Sequence, residues 1–216
     1  DQYGGSVRAA WSASPNVRFF GTYLRGQIDG SKRYDQLLGG DGNLIADVRD
    51  LKVDIATVRY EHLNPGFADL LSVSYSFNAQ FEERVNQGGN GNPAAAINHE
   101  PERTTTNAIQ IRAQKAFGSH TLSAGGDFSF EEVTGVSVAE NATTGATTVR
   151  RGRVPDGAQY RGGGIYVQDS FDPSPKAHLV GAVRASFARY ESFAATAPVV
   201  NGQPLWPDDK LNASSV

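Results

Sequence analysis

The chain has 216 residues, of which 39% are apolar and 20% are charged, and its net charge is −3. This balance is too apolar for a disordered chain, and it lacks the basic excess that would mark a nucleic-acid-binding protein. The chain has no cysteine, which excludes a disulfide framework and thiolate chemistry, and no methionine, so we expect a processed chain or a fragment. No apolar run approaches the roughly 18 residues that a membrane helix needs.

Apolar and polar residues alternate along most of the chain, which predicts strands rather than helices. The alternation predicts eight strands, at residues 3–13, 17–29, 51–63, 70–83, 104–117, 121–138, 160–171 and 178–190. In the third of these strands, Val53 and Ile55 have the opposite parity to Val58 and Tyr60. This change of phase indicates a β-bulge or a local lapse of patterning near Ala56.

The connections between the predicted strands alternate between short turns and long polar loops. The short turns contain "SPN", "NPGFAD", "GSH" and "DPSPKA". Ordinary globular strands have about five or six residues, whereas several of these are longer than ten. About ten residues, tilted by roughly 40°, cross the apolar band of a membrane, which is about 25 Å tall. The pattern predicts an all-β, antiparallel, up-and-down transmembrane β-barrel with short periplasmic turns and long extracellular loops.

A soluble β-sandwich or barrel is the alternative, because its strands also alternate between a buried and a solvated face. In the fourth strand, Leu71, Val73 and Phe77 form the apolar face, and the other face is mainly Ser, Asn and Gln. A solubilised surface is typically richer in Lys and Glu. The polar composition and the alternating loop lengths favour the membrane barrel over a soluble β-rich binding module.

The stretch "YRGGGIYVQDSFDPSPKAHLVGAVRASFARY", from Tyr160 to Tyr190, resembles the barrel of TonB-dependent outer-membrane receptors. A Gly-rich strand start, a "YVQD" strand, a short proline turn and a following "G-x-R"-type strand carry the resemblance. The stretches "LLGGDGNLIADVRDLKVDIATVRYEH" and "EERVNQGGNGNPAAAINHEPERTTTN" are also similar to this family, near its siderophore and colicin-receptor branch.

The resemblance implies a bacterial outer-membrane protein that imports a scarce ligand, most simply a ferric siderophore. It implies that the TonB complex acts through a plug domain, and that outer-membrane lipid and lipopolysaccharide surround the barrel. The plug domain and the aromatic closing strand of the family are not found in this sequence, and "LNASSV" at its end is predicted to be a loop. We therefore expect residues 1–216 to form a partial, incomplete barrel domain. A passive porin is a second alternative.

Two groups of residues are candidates for contact with the ligand. In the predicted outer loops, arginine forks suit carboxylates, catecholates and phosphates, and a set of solvated loop charges is the alternative interpretation. The loop candidates are Arg33, Tyr34, Arg49, Arg103, Arg150, Arg151 and Arg153. The residues predicted to face the lumen, where they would line a path or hold the barrel wall, are Arg112, Tyr166, Gln168 and Arg184.

No catalytic constellation is visible, so the sequence predicts neither an enzyme nor a bound cofactor. A nucleophile elbow, a zincin helix and a P-loop lysine are all missing from the sequence. Asp41, Asn43 and Asp47 are spaced as in a calcium loop, but Lys52 stands where such a loop needs its bidentate glutamate, so no metal site is predicted.

Overall fold

The computed structural model describes residues 1–38 and 42–216. Eight of its strands are long: β1 Gln2–Ser14, β2 Val17–Lys32, β3 Ile45–Leu63, β4 Leu70–Gln87, β5 Ile97–Phe117, β6 His120–Thr134, β9 Ala158–Ser174 and β10 Ala177–Ser192. The short strands are β7 Ser137–Glu140, β8 Thr147–Arg150, β11 Val199–Val200, β12 Gln203–Pro204 and β13 Asp209–Ser215. One short helix, α1, spans Tyr34–Leu38, and a 3-10 turn spans Ala194–Thr196.

The strands form one open, antiparallel sheet of eleven strands within the described residues. Its main order is β1-β2-β3-β4-β5-β6-β9-β10-β13, so strands that are consecutive in this order are joined by hairpins or loops. β7 continues beyond the end of β6 along β5, and β8 pairs with β7. β11 and β12 form a separate hairpin. The sheet is not closed, which confirms the prediction of an incomplete, up-and-down antiparallel barrel wall.

The eight predicted strands are confirmed, and so is the alternation of their connections. The links β1–β2, β3–β4, β5–β6 and β9–β10 are short, while those after β2, β4, β6 and β10 are long. Gly118, in the β5–β6 turn, has φ of 60°, a value that glycine adopts without steric cost. We call the edge with the short links the turn end and the edge with the long links the loop end. Among the described residues, no helix is long and apolar enough to cross a membrane.

Several predictions about strand limits were wrong. The sixth strand was predicted to reach Val138, but β6 ends at Thr134 and Val138 belongs to β7. The end of the chain was predicted as a loop, but β13 pairs there with β10, with Leu211 opposite Tyr190. β3 and β5 begin at Ile45 and Ile97, six and seven residues before their predicted starts. The additional segment of β5 is almost entirely polar, and the additional segment of β3 contains the register shift at Arg49, so neither carries a regular alternation and both are held by cross-strand pairing.

The change of phase in β3 is a lapse of patterning and not a bulge. Pairing of β3 with both neighbours is continuous from Leu51 to His62, so Val53 and Ile55 lie on the polar face. The register of β3 against β4 shifts only between Val48 and Asp50, which makes Arg49 the bulged residue.

The pairing register assigns every strand residue to one of two faces, because directly opposed residues point to the same side. The apolar face contains a row across eight strands, formed by Trp11, Phe19, Tyr60, Val73, Ile111, Gly126, Ile165 and Ala185. The polar face contains the neighbouring row, formed by Arg18, Glu61, Ser72, Arg112, Gly125, Tyr166 and Arg184.

The apolar face is open to its surroundings. Val7, Ile165 and Val183 are 68%, 70% and 66% exposed, and the described residues include no second sheet that covers them. Along β10 the apolar residues run from Leu179 to Phe187, about 26 Å along the strand, which at a tilt of about 40° spans about 20 Å of the roughly 25 Å apolar band of an outer membrane. The exposed apolar area therefore spans most of the height that lipid covers.

Candidate functional site

An ionic cluster lies on the polar face at the loop end of the sheet. β4 contributes Glu82 and Arg84, and β5 contributes Glu100 and Glu102. The register sets Glu82 opposite Glu102 and Arg84 opposite Glu100. Arg150, the last residue of β8, and Arg153, in the loop that follows, complete the cluster. We call these six residues the ionic cluster.

Arg153 is the central cation of the ionic cluster. Its Nη2 lies 3.5 Å from Glu102 Oε2 and 3.7 Å from Glu82 Oε2, and its Nε lies 3.8 Å from Glu100 Oε2. Arg150 Nη1 lies 3.6 Å from Glu100 Oε1. The loop after β8 is thus attached by ion pairs to β4 and β5, two strands that are distant from it in sequence.

The arginines of the ionic cluster neutralise a repulsion between carboxylates that the strand register places side by side. Like charges directly opposite each other in adjacent strands repel, and Glu82 faces Glu102. Arg84 Nη2 donates a 3.1 Å hydrogen bond to Glu82 Oε2, and its Nε contacts the other carboxylate oxygen. This bond raises the pKa of Arg84 above its usual range, against the opposing effect of burial. The cluster balances three cations with three carboxylates, so it offers both signs of charge to a ligand.

Sequence reasoning found Arg150 and Arg153 but missed Arg84 and the three glutamates, Glu82, Glu100 and Glu102. The signal of the glutamates is present as acidic residues that alternate at the upper ends of two strands, but only the register between the strands shows that they meet. The cluster therefore depends on pairing that the sequence pattern does not specify.

The other five loop candidates do not join the ionic cluster. Arg33 Nη2 lies 3.3 Å from Asp35 Oδ2, and Arg103 lies on the apolar face opposite Phe81. Tyr34 in α1 is 63% exposed. Over residues 1–38 and 42–216, no ion pair within 4.0 Å connects the cluster to the remaining candidates, which are Arg33, Arg49, Arg103 and Arg151. Their roles stay predictions.

The four residues predicted to face the lumen lie together on the polar face. Arg112, Tyr166 and Arg184 belong to one row, and Gln168 lies two residues nearer to the turn end of β9. Arg184 makes a two-pronged ion pair with Asp127, with Nη1–Oδ1 of 2.8 Å and Nη2–Oδ2 of 3.0 Å. Residues that line a lumen must lie on one face of the sheet, and these four do. Their exposure to a lumen stays a prediction.

Glycines allow these long side chains to lie flat across the sheet. A Cβ on Gly125 would lie 2.9 Å from the hydroxyl and ring of Tyr166, and one on Gly164 would lie 2.8 Å from Arg184 Nη2. The Gly162–Gly163–Gly164 tract therefore lies inside β9 for a packing reason, because the side chains of Tyr160, Phe187 and Arg184 lie against it. It has no geometry of a phosphate-binding loop.

Within the described residues, no group of three or more His, Cys, Asp or Glu side chains is arranged to hold a metal ion. Asp41, part of the calcium-loop spacing, lies outside the described residues.

Comparison with known proteins gives a match in structure but not in sequence. No protein-family model matches the chain, and no curated protein is significantly similar to it. Its fold is similar to the copper transporter OprC, with a TM-score of 0.77 and 13% identity over 99% of this chain and 32% of the other. The unliganded ferric citrate transporter FecA gives a TM-score of 0.66 and 13% identity over 99% and 32% of the two chains.

A third similar structure is the open form of the ferric-catecholate import receptor Fiu from E. coli K12. Its TM-score is 0.60 and its identity is 18%, over 99% of this chain and 43% of the other. This chain spans less than half the length of all three proteins. At these identities the likeness shows the fold, which is that of a segment of the β-barrels of such transporters.

Proposed function

We propose that this chain is part of the wall of a TonB-dependent receptor in the bacterial outer membrane, which binds a scarce ligand outside the cell and imports it. The observation that carries the proposal is the arrangement of the two faces. The exposed apolar face spans most of the height of a membrane's apolar band, while the row of Arg112, Tyr166 and Arg184 and the ionic cluster share the opposite face. Lipid would cover the first face, and the second would line the route from the outer loops to the lumen.

The ligand we propose is a ferric siderophore. Two of the structurally similar proteins are named for ferric citrate and ferric catecholate, and the third is named for copper. Arginines that converge at the loop end, such as Arg150 and Arg153, suit the oxygen-rich anionic surface of a chelate. Import would be driven through the TonB complex and a plug domain inside the barrel.

The test is binding and uptake by the full-length protein in the outer membrane. Ferric citrate, a ferric catecholate, a ferric hydroxamate, copper, haem and cobalamin are presented side by side, in cells with and without an energised inner membrane. The proposal predicts uptake of a ferric chelate that stops when the energy source is removed. Uptake that continues unchanged would instead identify the passive porin.

A matched pair of variants connects the uptake to the ionic cluster. Arg153→Gln removes the cation that contacts three carboxylates, whereas Lys176→Gln removes a cation from the β9–β10 turn. We expect Arg153→Gln to weaken ligand binding about tenfold, as for the loss of a charge-assisted hydrogen bond. Lys176→Gln retains the wild-type affinity. Equal affinities in the two variants would remove the ionic cluster from the ligand site.

A further inference from the structure

Five aliphatic side chains form a patch on the polar face, at the loop end of β2 and β3. The patch consists of Leu24, Ile28, Leu51, Val53 and Ile55. The register sets Ile28 opposite Leu51 and Leu24 opposite Ile55, so the five side chains are neighbours on one side of the sheet. Leu24 is 40% exposed, and the other four are half-buried. We call these five residues the aliphatic patch.

The same stretch of β2 and β3 carries charged side chains on its other side. On the apolar face, Arg25 lies opposite Asp54, and Arg25 Nη1 lies 3.2 Å from Asp54 Oδ1. The two faces have therefore exchanged polarity there, which accounts for the lapse of patterning in β3. Charged side chains on a lipid-covered face are destabilising. This part of the wall should therefore extend beyond the apolar band, where the aliphatic patch has no lipid to contact.

Two glycines leave a recess within the patch. Gly4 of β1 and Gly26 of β2 lie directly opposite each other and form its floor. Ile28 and Leu24 lie on either side of the floor, four residues or about 13 Å apart along β2, and Val53 closes the side of β3. Among the described residues, no atom would lie within 4 Å of a Cβ on Gly26. The recess is open and has a volume of about 690 Å³.

The aliphatic patch is continuous with the ionic cluster. Leu51 lies directly opposite Glu82, a member of that cluster, and Val53 lies opposite Gln80 in the next row. Directly opposed residues of adjacent strands have Cβ atoms about 4.5–5.5 Å apart. Arg153, 3.7 Å from Glu82, is therefore close to the edge of the patch. A ligand with its anionic part at the arginines would place an attached chain over aliphatic side chains.

We propose that the aliphatic patch and its recess hold the acyl chain of an amphiphilic ferric chelate, whose anionic iron-binding head lies at the ionic cluster. The inference rests on the proposed function and narrows the class of its ligand. All five side chains of the patch are aliphatic, so the patch lacks the ring partners that an aromatic head such as a catecholate would favour. A hydrocarbon chain needs only apolar surface, and its burial there removes apolar area of both partners from water.

The experiment measures binding of ferric chelates to the full-length protein in lipid vesicles. Citrate, catecholate and hydroxamate heads are each prepared with a dodecanoyl chain and with an acetyl group in its place. For the head that the protein binds, we expect the dodecanoyl form to bind about tenfold more tightly than the acetyl form. Vesicles without protein give the partition of the chain into lipid. Equal affinities would overturn the inference, and they are the result expected if a plug domain covers the recess.

A matched pair of variants tests the aliphatic patch. Val53→Asn makes it polar, whereas Val133→Asn makes the same change in the same row of the polar face, three strands away in β6. The gain from the dodecanoyl chain should fall to about twofold in Val53→Asn and stay about tenfold in Val133→Asn. The acetyl form should bind both variants as it binds the wild type, which shows that both are folded. Equal gains in the two variants would overturn the inference.

A second pair tests the recess. Gly26→Leu places a side chain on its floor, whereas Ala182→Leu adds the same side chain to the polar face in β10. Only Gly26→Leu should remove the gain from the dodecanoyl chain. A gain that survives in Gly26→Leu would overturn the inference. The acetyl form again reports folding, and the variants of Val53 and Val133 decide the result if Gly26→Leu fails to fold.

Failure of the acyl-chain site and failure of the proposed function are separate results. Wild-type protein that binds none of the ferric heads overturns the proposed function. Wild-type protein that binds and imports an acetyl form, and gains no affinity from the dodecanoyl chain, overturns the acyl-chain site alone.

Discussion

At the scale of single residues, charge neutralisation across strands is the feature with the clearest consequences. Arg153 lies between 3.5 and 3.8 Å from oxygens of three different glutamates, although it belongs to a loop. Each partly exposed ion pair contributes only about 0.2–1 kcal/mol, so the network and not any one contact holds the loop. Because one side chain contacts three carboxylates, its loss should free the loop from the sheet while the rest of the sheet stays folded.

We predict that Arg153→Gln releases the loop of residues 151–157 without unfolding the sheet. Glu82 and Glu102 then face each other with less cationic compensation, and the loop loses its attachment to β4 and β5. Proteinase K should cleave this loop several-fold faster in the variant. Arg151→Gln, a change at an exposed neighbour, is the control, and equal cleavage of the two variants would contradict the prediction.

A second prediction concerns pH at the loop end of β10. The hydrogen bond from Arg189, followed by the charges of Arg189, Lys210 and Arg161, lowers the pKa of Glu191. A carboxyl with a lowered pKa in the folded state stabilises the fold above its unfolded pKa of about 4.3, and the contribution is lost as the pH falls through the lowered value.

Glu191→Gln should therefore lower the heat-dissociation temperature of the full-length barrel at pH 7, and the difference from wild type should disappear toward pH 3. The folded barrel and its heat-dissociated form are separated on unheated gels. A difference that persists undiminished at pH 3 would show that Glu191 acts through packing instead of charge.

At the scale of strands, glycine determines which side chains can cross the sheet. Gly125 and Gly164 lie beneath Tyr166 and Arg184, and both positions are crowded by backbone as well as side chain. A Cβ on Gly125 would also lie 2.4 Å from the carbonyl oxygen of Ile111. The polar row at the centre of the wall therefore depends on residues that have no side chain of their own.

We predict that Gly125→Ala destabilises the barrel by about 1–3 kcal/mol, the usual cost of overpacking. Gly26→Ala is the matched control, because it lies on the same face in β2 and no atom would lie within 4 Å of its new Cβ. Removing a glycine there should be neutral or slightly stabilising. Urea unfolding of the full-length protein in lipid vesicles measures both changes, and equal midpoints would contradict the packing argument.

The strands also show which parts of the fold can be predicted from the sequence and which cannot. The eight long strands are readable because most of them place apolar residues at every second position, as in Val73, Tyr75 and Phe77. β13 could not be predicted, because its seven residues are mostly polar and form a strand through their pairing with β10. The ionic cluster is hidden for a related reason, because Glu82 meets Glu102 only through the register. The bulge at Arg49 shifts the register of β3 against β4, and no local signal marks it.

At the scale of the whole molecule, the two faces predict opposite responses to charge. Val183 points to the apolar face opposite Val167, and its neighbour Ala182 points to the polar face opposite Gln168. We predict that Val183→Arg costs about 2–4 kcal/mol of barrel stability, as for a cation near the bilayer midplane. Ala182→Arg should cost much less. Assembly into the outer membrane and resistance to heat dissociation measure both variants.

Val183→Phe separates lipid from a second protein layer. Lipid chains rearrange around a larger apolar side chain, so the variant should be as stable as wild type. A packed interior would resist it at a cost of about 1–3 kcal/mol. A large loss of stability would thus favour the soluble sandwich over the membrane barrel.

Two long strands joined at the turn end form a hairpin, and each hairpin pairs with the strands that precede and follow it in sequence. Deleting β3 and β4 together would bring β2 against β5 with their directions still opposed and their inner and outer sides unchanged. The wall can therefore become narrower or wider in steps of two strands. Adding or removing a single strand would reverse the direction of every strand that follows it in sequence. Because the wall is built from such hairpins, proteins with little sequence in common can share the same barrel wall.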